Sequence, residues 1–319
     1  MGARRAALRS SCPLQRPPVR HCCGAPRARR RPHRRLRIPP NLAAGAQRYG
    51  REDWVARLPA VVDGLARRWS LDIGRPYEPG GTSAWVAPVR ARDGDAVLKV
   101  AWRHYEADDE AAGLRVWNGD GTVRLLDAAV VDDEETVALL LERCVPGTPL
   151  RERPETEHDV VIAGLLPRLW RAPAVGHRFR PLQEMCDAWA DAFERKRSVL
   201  DPSTTRDGME LFRALPASAD REVLLCTDLH AGNVLAAQRE RWLAIDPKPY
   251  VGDPTYDVVQ HLLNCDERLY ADPYGLVARM AGLLDLDEQR LRQWLFARCV
   301  IESADRPELA DVARAVAPR

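Results

Sequence analysis

Lysine is almost missing from this chain: of 48 basic residues only Lys99, Lys196 and Lys248 are not arginine. Acidic residues are missing from positions 1–51, which hold fourteen Arg and no Lys, Asp or Glu. Long apolar runs are missing as well. The stretch 137–141 falls far short of the roughly 20 residues that a membrane-spanning helix needs, so a soluble protein is expected. Eight cysteines, at 12, 22, 23, 144, 186, 226, 265 and 299, show no CxxC spacing. Neither a zinc site nor a disulfide framework is suggested, and a reducing, cytoplasmic compartment fits. No internal repeat is visible, which sets solenoids aside.

What is present is a chain of 319 residues, long enough for one large or two small domains with a sizeable core. Its net charge of +2 hides an asymmetry, because beyond residue 51 there are 34 basic against 46 acidic residues. Three readings of the basic segment stand side by side. It would bind nucleic acid or an anionic membrane through its arginines. It would act as a targeting segment, although its prolines spoil an amphipathic helix and it has no apolar stretch for a secretory signal. Or it is a disordered extension, or a start read too far upstream in a GC-rich gene. Low hydrophobicity with high charge favours the last reading, with the first helix starting near residue 51.

Periodicity predicts a helix over 51–70, with Trp54, Leu58, Val61, Val62 and Leu65 on one face. After Gly80-Gly81-Thr82-Ser83, strands are expected at 84–90 and 96–100 around an Asp93-Gly94 turn. A helix follows over 107–117, then strands at 123–126 and 136–142. Beyond Pro146-Gly147 the pattern becomes helical, at 157–170, 182–200, 256–263, 274–284, 287–300 and 307–316. Only a strand–loop–strand region at 223–246 interrupts it. A small, mainly β segment over 52–144 is thus expected to precede a larger, mainly α segment over 145–319.

The chemistry concentrates in Leu224-Leu225-Cys226-Thr227-Asp228-Leu229-His230-Ala231-Gly232-Asn233-Val234-Leu235. An apolar strand delivers Asp228 into a loop, Asn233 follows before a second strand, and a third ends at Asp246-Pro247. Hard Mg²⁺ prefers oxygen ligands and takes only one or two from protein beside phosphate. Asn233 and Asp246 suit that task, which leaves Asp228 to orient a hydroxyl and accept its proton. Lys99 lies inside the apolar strand Ala96-Val97-Leu98-Lys99-Val100, where a lone ammonium is costly without a partner.

The spacing Asp228-x-x-x-x-Asn233, with Asp246 one strand later, resembles the catalytic loop and metal-binding Asp of protein-kinase-like phosphotransferases. More narrowly, Asp228-Leu229-His230-Ala231-Gly232-Asn233 and Ile245-Asp246-Pro247 resemble the aminoglycoside phosphotransferases. The phrase from Trp242 to Pro254 is similar to their streptomycin 6-kinase and hydroxyurea phosphotransferase branch. The resemblance implies an α+β, two-lobed kinase-like fold that uses ATP and Mg²⁺ on a small-molecule hydroxyl, with streptomycin first and hydroxyurea second. It makes Lys99 the phosphate-binding lysine, paired with Glu110 or, as runner-up, Glu106. Gly80 and Gly81 become a flexible lid, and 142–144, including Glu142 and Cys144, the hinge whose main chain, rather than its side chains, meets adenine. Asp257 is expected to be a helix N-cap that also steadies the catalytic loop. Lys248 would steady the transferring phosphate or pair with a surface acid, and His230 would orient the loop or lie on the surface. The acidic body suggests a cationic acceptor met by Glu184, Asp187, Asp191, Asp266 or Glu267.

Two departures stand out. Cys226-Thr227 replaces the His-Gly of many relatives, and Asp246-Pro247-Lys248 lacks the Phe and Gly of protein kinases, with no A-P-E element after it. The first alters the support expected for the loop; the second argues against a regulated protein kinase. A different class, a non-catalytic nucleic-acid binder acting through the Arg-rich segment, is opposed by the complete Lys–Asp–Asn–Asp set.

Overall fold

Alternation of period two gives way to helical periodicity midway along the chain, and the architecture changes there too. A computed structural model describes residues 36–104, 109–132 and 134–318. Helix α1 (Pro40–Tyr49) and helix α2 (Glu52–Trp69) precede a short β1 (Asp72–Ile73), then β2 (Ala84–Ala91) and β3 (Gly94–Trp102). Helix α3 (Glu110–Trp117), β4 (Leu125–Val131) and β5 (Thr136–Glu142) follow. Strands β1 to β5 form one antiparallel sheet in the order β1-β2-β3-β5-β4. Lys99 sits mid-strand on β3, opposite Val86 of β2 and Leu139 of β5. Leu98 and Val100, both fully buried, point to the other face, as alternation along a strand requires.

The second half comprises α4 (Glu155–Leu169), α5 (Leu182–Glu194), α6 (Pro202–Ala214), β6 (Val223–Leu225), β7 (Val234–Ala236), β8 (Trp242–Ala244) and β9 (Tyr250–Gly252). It ends with α7 (Tyr256–Leu262), α8 (Asp266–Ala271), α9 (Pro273–Leu284), α10 (Glu288–Glu302) and α11 (Leu309–Val316). Its large core gathers Phe212, Leu224, Tyr256, Trp294 and Phe296 around α10, whose residues 294–301 are all buried. A smaller core joins Leu114, Val137, Leu139 and Leu141 to Leu243 of β8. The sheet and the β7–β8 hairpin therefore share apolar contacts. Among the described residues no helix is long and apolar enough to cross a membrane.

Four local expectations need correction. Residues 40–49, counted with the basic extension, form α1, with Leu42 and Ala46 buried. Pro40 occupies the first turn, where its missing N–H has no partner to lose, so proline starts this helix rather than spoiling it. Strand β4 runs on to Val131 past a bulge at 125–127, where Asp127 breaks the apolar pattern. Helix α6 lies in a stretch left unassigned; Asp201 caps it by accepting from the amides of Ser203 and Thr204. Helix α8, also unassigned, is a short turn of helix. Residues 1–35 and Glu106 lie outside the described residues.

Candidate active site

The middle of one strand, the end of another and one helix start bring the first cluster together. Lys99 Nζ lies 2.6 Å from Glu110 Oε2 at the start of α3 and 2.5 Å from Asp246 Oδ1 just after β8. Asp109, next to Glu110, pairs with Arg180 at 3.2 Å, which ties the start of α3 to the second half of the chain. Burial works against the Lys99 ammonium, but Asp246 and Glu110 outweigh it and keep the lysine protonated. Burial pushes Glu110 up to about 7 in spite of Lys99. Its Oε1 atom is buried with no hydrogen-bond partner. Asp246 has about half of its side chain exposed; burial works to raise its carboxyl, but Lys99 outweighs it and holds it below its ordinary value.

The second cluster grows from β6. Past Leu225 the chain turns through Thr227 at φ 50, a left-handed conformation that a β-branched residue rarely adopts. Asp257 compensates. Its fully buried carboxylate accepts from the Cys226 amide at 3.0 Å, the Thr227 amide at 2.6 Å and Trp170 Nε1 at 3.2 Å. Burial still lifts this carboxyl to about 6, because three donors do not replace water completely. Of the two roles expected of Asp257, the capping of its own helix is not made, and its carboxylate is bonded to the loop. Thr227 Oγ1 donates to the Lys248 carbonyl at 2.5 Å. Asp228, emerging from this turn, accepts from Asn233 Nδ2 at both its carbonyl (3.0 Å) and Oδ2 (3.2 Å). Lys248 Nζ stands 2.7 Å from the same Oδ2. His230 orients the loop: its Nδ1 accepts from the Gly232 amide at 3.1 Å.

Antiparallel pairing explains why Asn233 and Asp246 meet. Asn233 precedes β7, Asp246 follows β8, and Val234 pairs with Ala244. The Ile245 amide donates to the Asn233 carbonyl at 2.9 Å, so both side chains leave the same end of the hairpin. The amide nitrogen of Asn233 faces Asp228, which turns its oxygen the other way. Asp246 itself is left-handed, at φ 54.

A cavity of about 680 Å³ opens beside the first cluster, with Gly81, Thr82, Ser83, Lys99, Asp246 and Lys248 in its wall; of the second cluster only Lys248 lines it, and Asp228 and Asn233 do not. Tyr49 and Arg51 also line it. Sequence reasoning missed both because they fell in the segment counted as an extension. The turn expected to be a flexible lid is pinned by α1. Asn41 donates from Nδ2 to the Gly80 carbonyl, and a Cβ on Gly45 would meet the Thr82 carbonyl oxygen at 2.0 Å. Gly80 itself lies outside the cavity wall and backs onto Pro39.

The hinge side chains, from which no adenine contact was expected, are engaged elsewhere. Glu142 holds Arg239 and the Arg124 amide, and Cys144 belongs to the smaller core. None of the five acids expected to meet a cationic acceptor lines the cavity. Asp191 pairs with Arg213, Asp266 pairs with Arg306, and Asp187 accepts from Gln183. Glu184 and Glu267 are exposed.

The family described as aminoglycoside/hydroxyurea antibiotic resistance kinase matches residues 68–308. Streptomycin 6-kinase of Streptomyces griseus is 37% identical over 280 residues, which cover 82% of this chain and 88% of that relative. The chain belongs to this kinase family. It is therefore a phosphotransferase. Hydroxyurea phosphotransferase of Kitasatospora aureofaciens is 35% identical over 283 residues, covering 83% of the kinase and 78% of the relative. Among solved structures, amicoumacin kinase hAmiN in complex with AMP-PNP, Ca²⁺ and Ami overlays with a TM-score of 0.59 at 13% identity, covering 83% of this chain and 95% of that one. Aminoglycoside phosphotransferase APH(3'')-Id of Streptomyces rimosus, in complex with ADP and streptomycin, gives 0.52 at 18% identity, covering 80% and 98%. The two-lobed α+β kinase-like fold follows from these likenesses and from the five-stranded sheet with its helical partner.

Proposed function

We propose that the kinase moves the γ-phosphoryl group of ATP onto a hydroxyl of streptomycin and so inactivates the antibiotic. The observation that carries this reading is the cavity in which Lys99, Asp246 and Lys248 meet, with Asp228 one ion pair away. The sheet-bearing part, residues 52–144, serves as the nucleotide lobe, and residues 145–319 supply the catalytic loop and the acceptor site.

Lys99, held by Glu110, binds phosphate oxygens. Asp228 aligns the acceptor hydroxyl and takes its proton, while Asp257 and Asn233 keep the loop in shape. The oxygens of Asn233 and Asp246 fit Mg²⁺, a hard ion that prefers such ligands beside phosphate. When bound, it would neutralise charge on the triphosphate. The five cysteines among the described residues are buried free thiols, which suits a reducing, cytoplasmic setting.

Hydroxyurea is the second reading, favoured by an identity to its phosphotransferase within two percentage points of that to streptomycin 6-kinase. The test is purified protein with ATP and Mg²⁺ against streptomycin, other aminoglycosides and hydroxyurea, followed by mass spectrometry. A phosphate adduct on streptomycin alone supports the first reading. An adduct on hydroxyurea alone replaces it, and no adduct on any member removes both.

A further inference from the structure

Two of the three lysines in a chain that otherwise uses arginine lie in one cavity. The third, Lys196, makes a surface pair with Asp305. Lys99 has the role discussed above, but Lys248 comes from a different segment and faces a different carboxylate. Its backbone is held on both sides. The Lys248 amide donates to the Cys226 carbonyl at 2.9 Å, and its carbonyl accepts from Thr227 Oγ1 at 2.5 Å. These bonds fix the residue against the turn that delivers Asp228. Its side chain, about a third exposed, reaches Asp228 Oδ2 at 2.7 Å while lining the cavity with Lys99 and Asp246. An ammonium so held belongs to both halves of the reaction. A compact, three-donor cation can serve a carboxylate and a phosphate oxygen together, where the planar fork of arginine would favour one bidentate partner.

We propose that Lys248 is a second phosphate-binding lysine, one that contacts the γ-phosphoryl group and Asp228 at the same time and couples transfer to deprotonation of the acceptor. This rests on the reading of the cavity as the triphosphate site and of Asp228 as the base. In the step itself the acceptor oxygen bonds to the γ-phosphorus, and the bond from that phosphorus to the bridging oxygen of ADP breaks. The electron pair stays on ADP, and the hydroxyl proton passes to Asp228. Lys248 donates to the phosphoryl oxygens as they move between the two bonds, and it fixes Asp228 toward the attacking oxygen. A preorganised donor aimed at moving charge is a large contributor to such catalysis.

The test compares AMP-PNP and ADP affinity, with Mg²⁺ present, in the whole protein and in Lys248→Met, together with kcat. A contact to the γ-phosphoryl group weakens AMP-PNP by about 10–100-fold, the worth of a charged hydrogen bond, and leaves ADP unchanged. The same variant lowers kcat by about 10²–10³, as loss of one preorganised donor does. Unchanged ADP affinity also reports that the variant is folded. Lys248→Arg, whose fork takes one bidentate partner in place of two, keeps the preference for AMP-PNP over ADP but lowers kcat, and serves if the Met variant does not fold; the parent kcat in it overturns the coupling. Affinities that shift together, or a kcat within about threefold of the parent, overturn the proposal. The reading on which it rests fails differently: ADP would not bind the parent, or Asp228→Asn would turn over at the parent rate.

Discussion

Two charge clusters in this molecule use similar residues and differ in how completely they are satisfied. In the helical half, buried Asp159 accepts from Arg268 at 2.7 Å on each oxygen, from Arg279 at 2.5 Å and from His261 Nε2 at 2.8 Å. Burial alone would raise its pKa, yet Arg268, His261 and Arg279 hold it well below the usual carboxylate range. The ligand atoms of Asp159, His261 and Cys265 lie within 4.8 Å of one another, close enough to share a metal ion. The arginines already fill the carboxylate, however, and burial raises the thiol to about 12, so the group reads as a closed structural network. At the cavity the balance is open. Glu110 Oε1 has no partner, half of Asp246 is exposed, and two lysines face the same space. A saturated network holds elements together, whereas an unfinished one beside a cavity is built for a ligand that completes it.

The largest effect that tests this contrast is on turnover. Asp228→Ala is expected to lower kcat by about 10²–10⁴, the usual contribution of a positioned base, with the melting temperature nearly unchanged. Equal kinetics in a steady-state assay would merge the two clusters into one structural class. The converse change is Asp159→Ala, which takes from Arg268, Arg279 and the buried His261 the acceptor they share. Denaturant unfolding should show a loss of about 3–5 kcal/mol, while kcat per folded molecule stays at the parent value. A smaller effect is expected for Lys99→Met, which removes one charged contact to phosphate and should lower kcat/KM for ATP by about 10–100-fold, read by varying ATP at saturating acceptor.

The smallest effect concerns pH. Glu110 titrates near 7, so as pH falls below that value it takes up a proton and loses its charge pair with Lys99. Because its folded pKa is raised, the protonated form is the one that folding favours. Stability therefore does not fall with this proton; ATP affinity does. The KM for ATP should rise as pH drops through 7 in the parent, and that rise should be missing from Glu110→Gln.

The catalytic part of this contrast was legible in the sequence because it rests on local spacing. Asp228, Asn233 and Asp246 each adjoin an apolar strand, and a lysine inside β3 needs a partner. The remainder depended on contacts distant in sequence. Arg51 and Tyr49 reach the cavity only because α1 packs on the 80–83 turn, and a proline-rich, acid-free stretch gives little sign of that. From its own neighbours Asp257 looked like a helix cap, and only the resemblance pointed to the loop, because the amides of Cys226 and Thr227 that it holds lie 31 and 30 residues away. The acids expected to recruit a cation were taken from helix faces, and local pattern does not reveal that Arg213 and Arg306 already hold two of them.

The most direct measurement is a crystal structure of the kinase with AMP-PNP and Mn²⁺, the metal located by its anomalous signal. The triphosphate is expected in the cavity between Lys99 and Lys248, with the ion within about 2.2 Å of oxygens from Asn233 and Asp246. Nucleotide bound away from that cavity, or the ion seated at Asp159, His261 and Cys265, would contradict this.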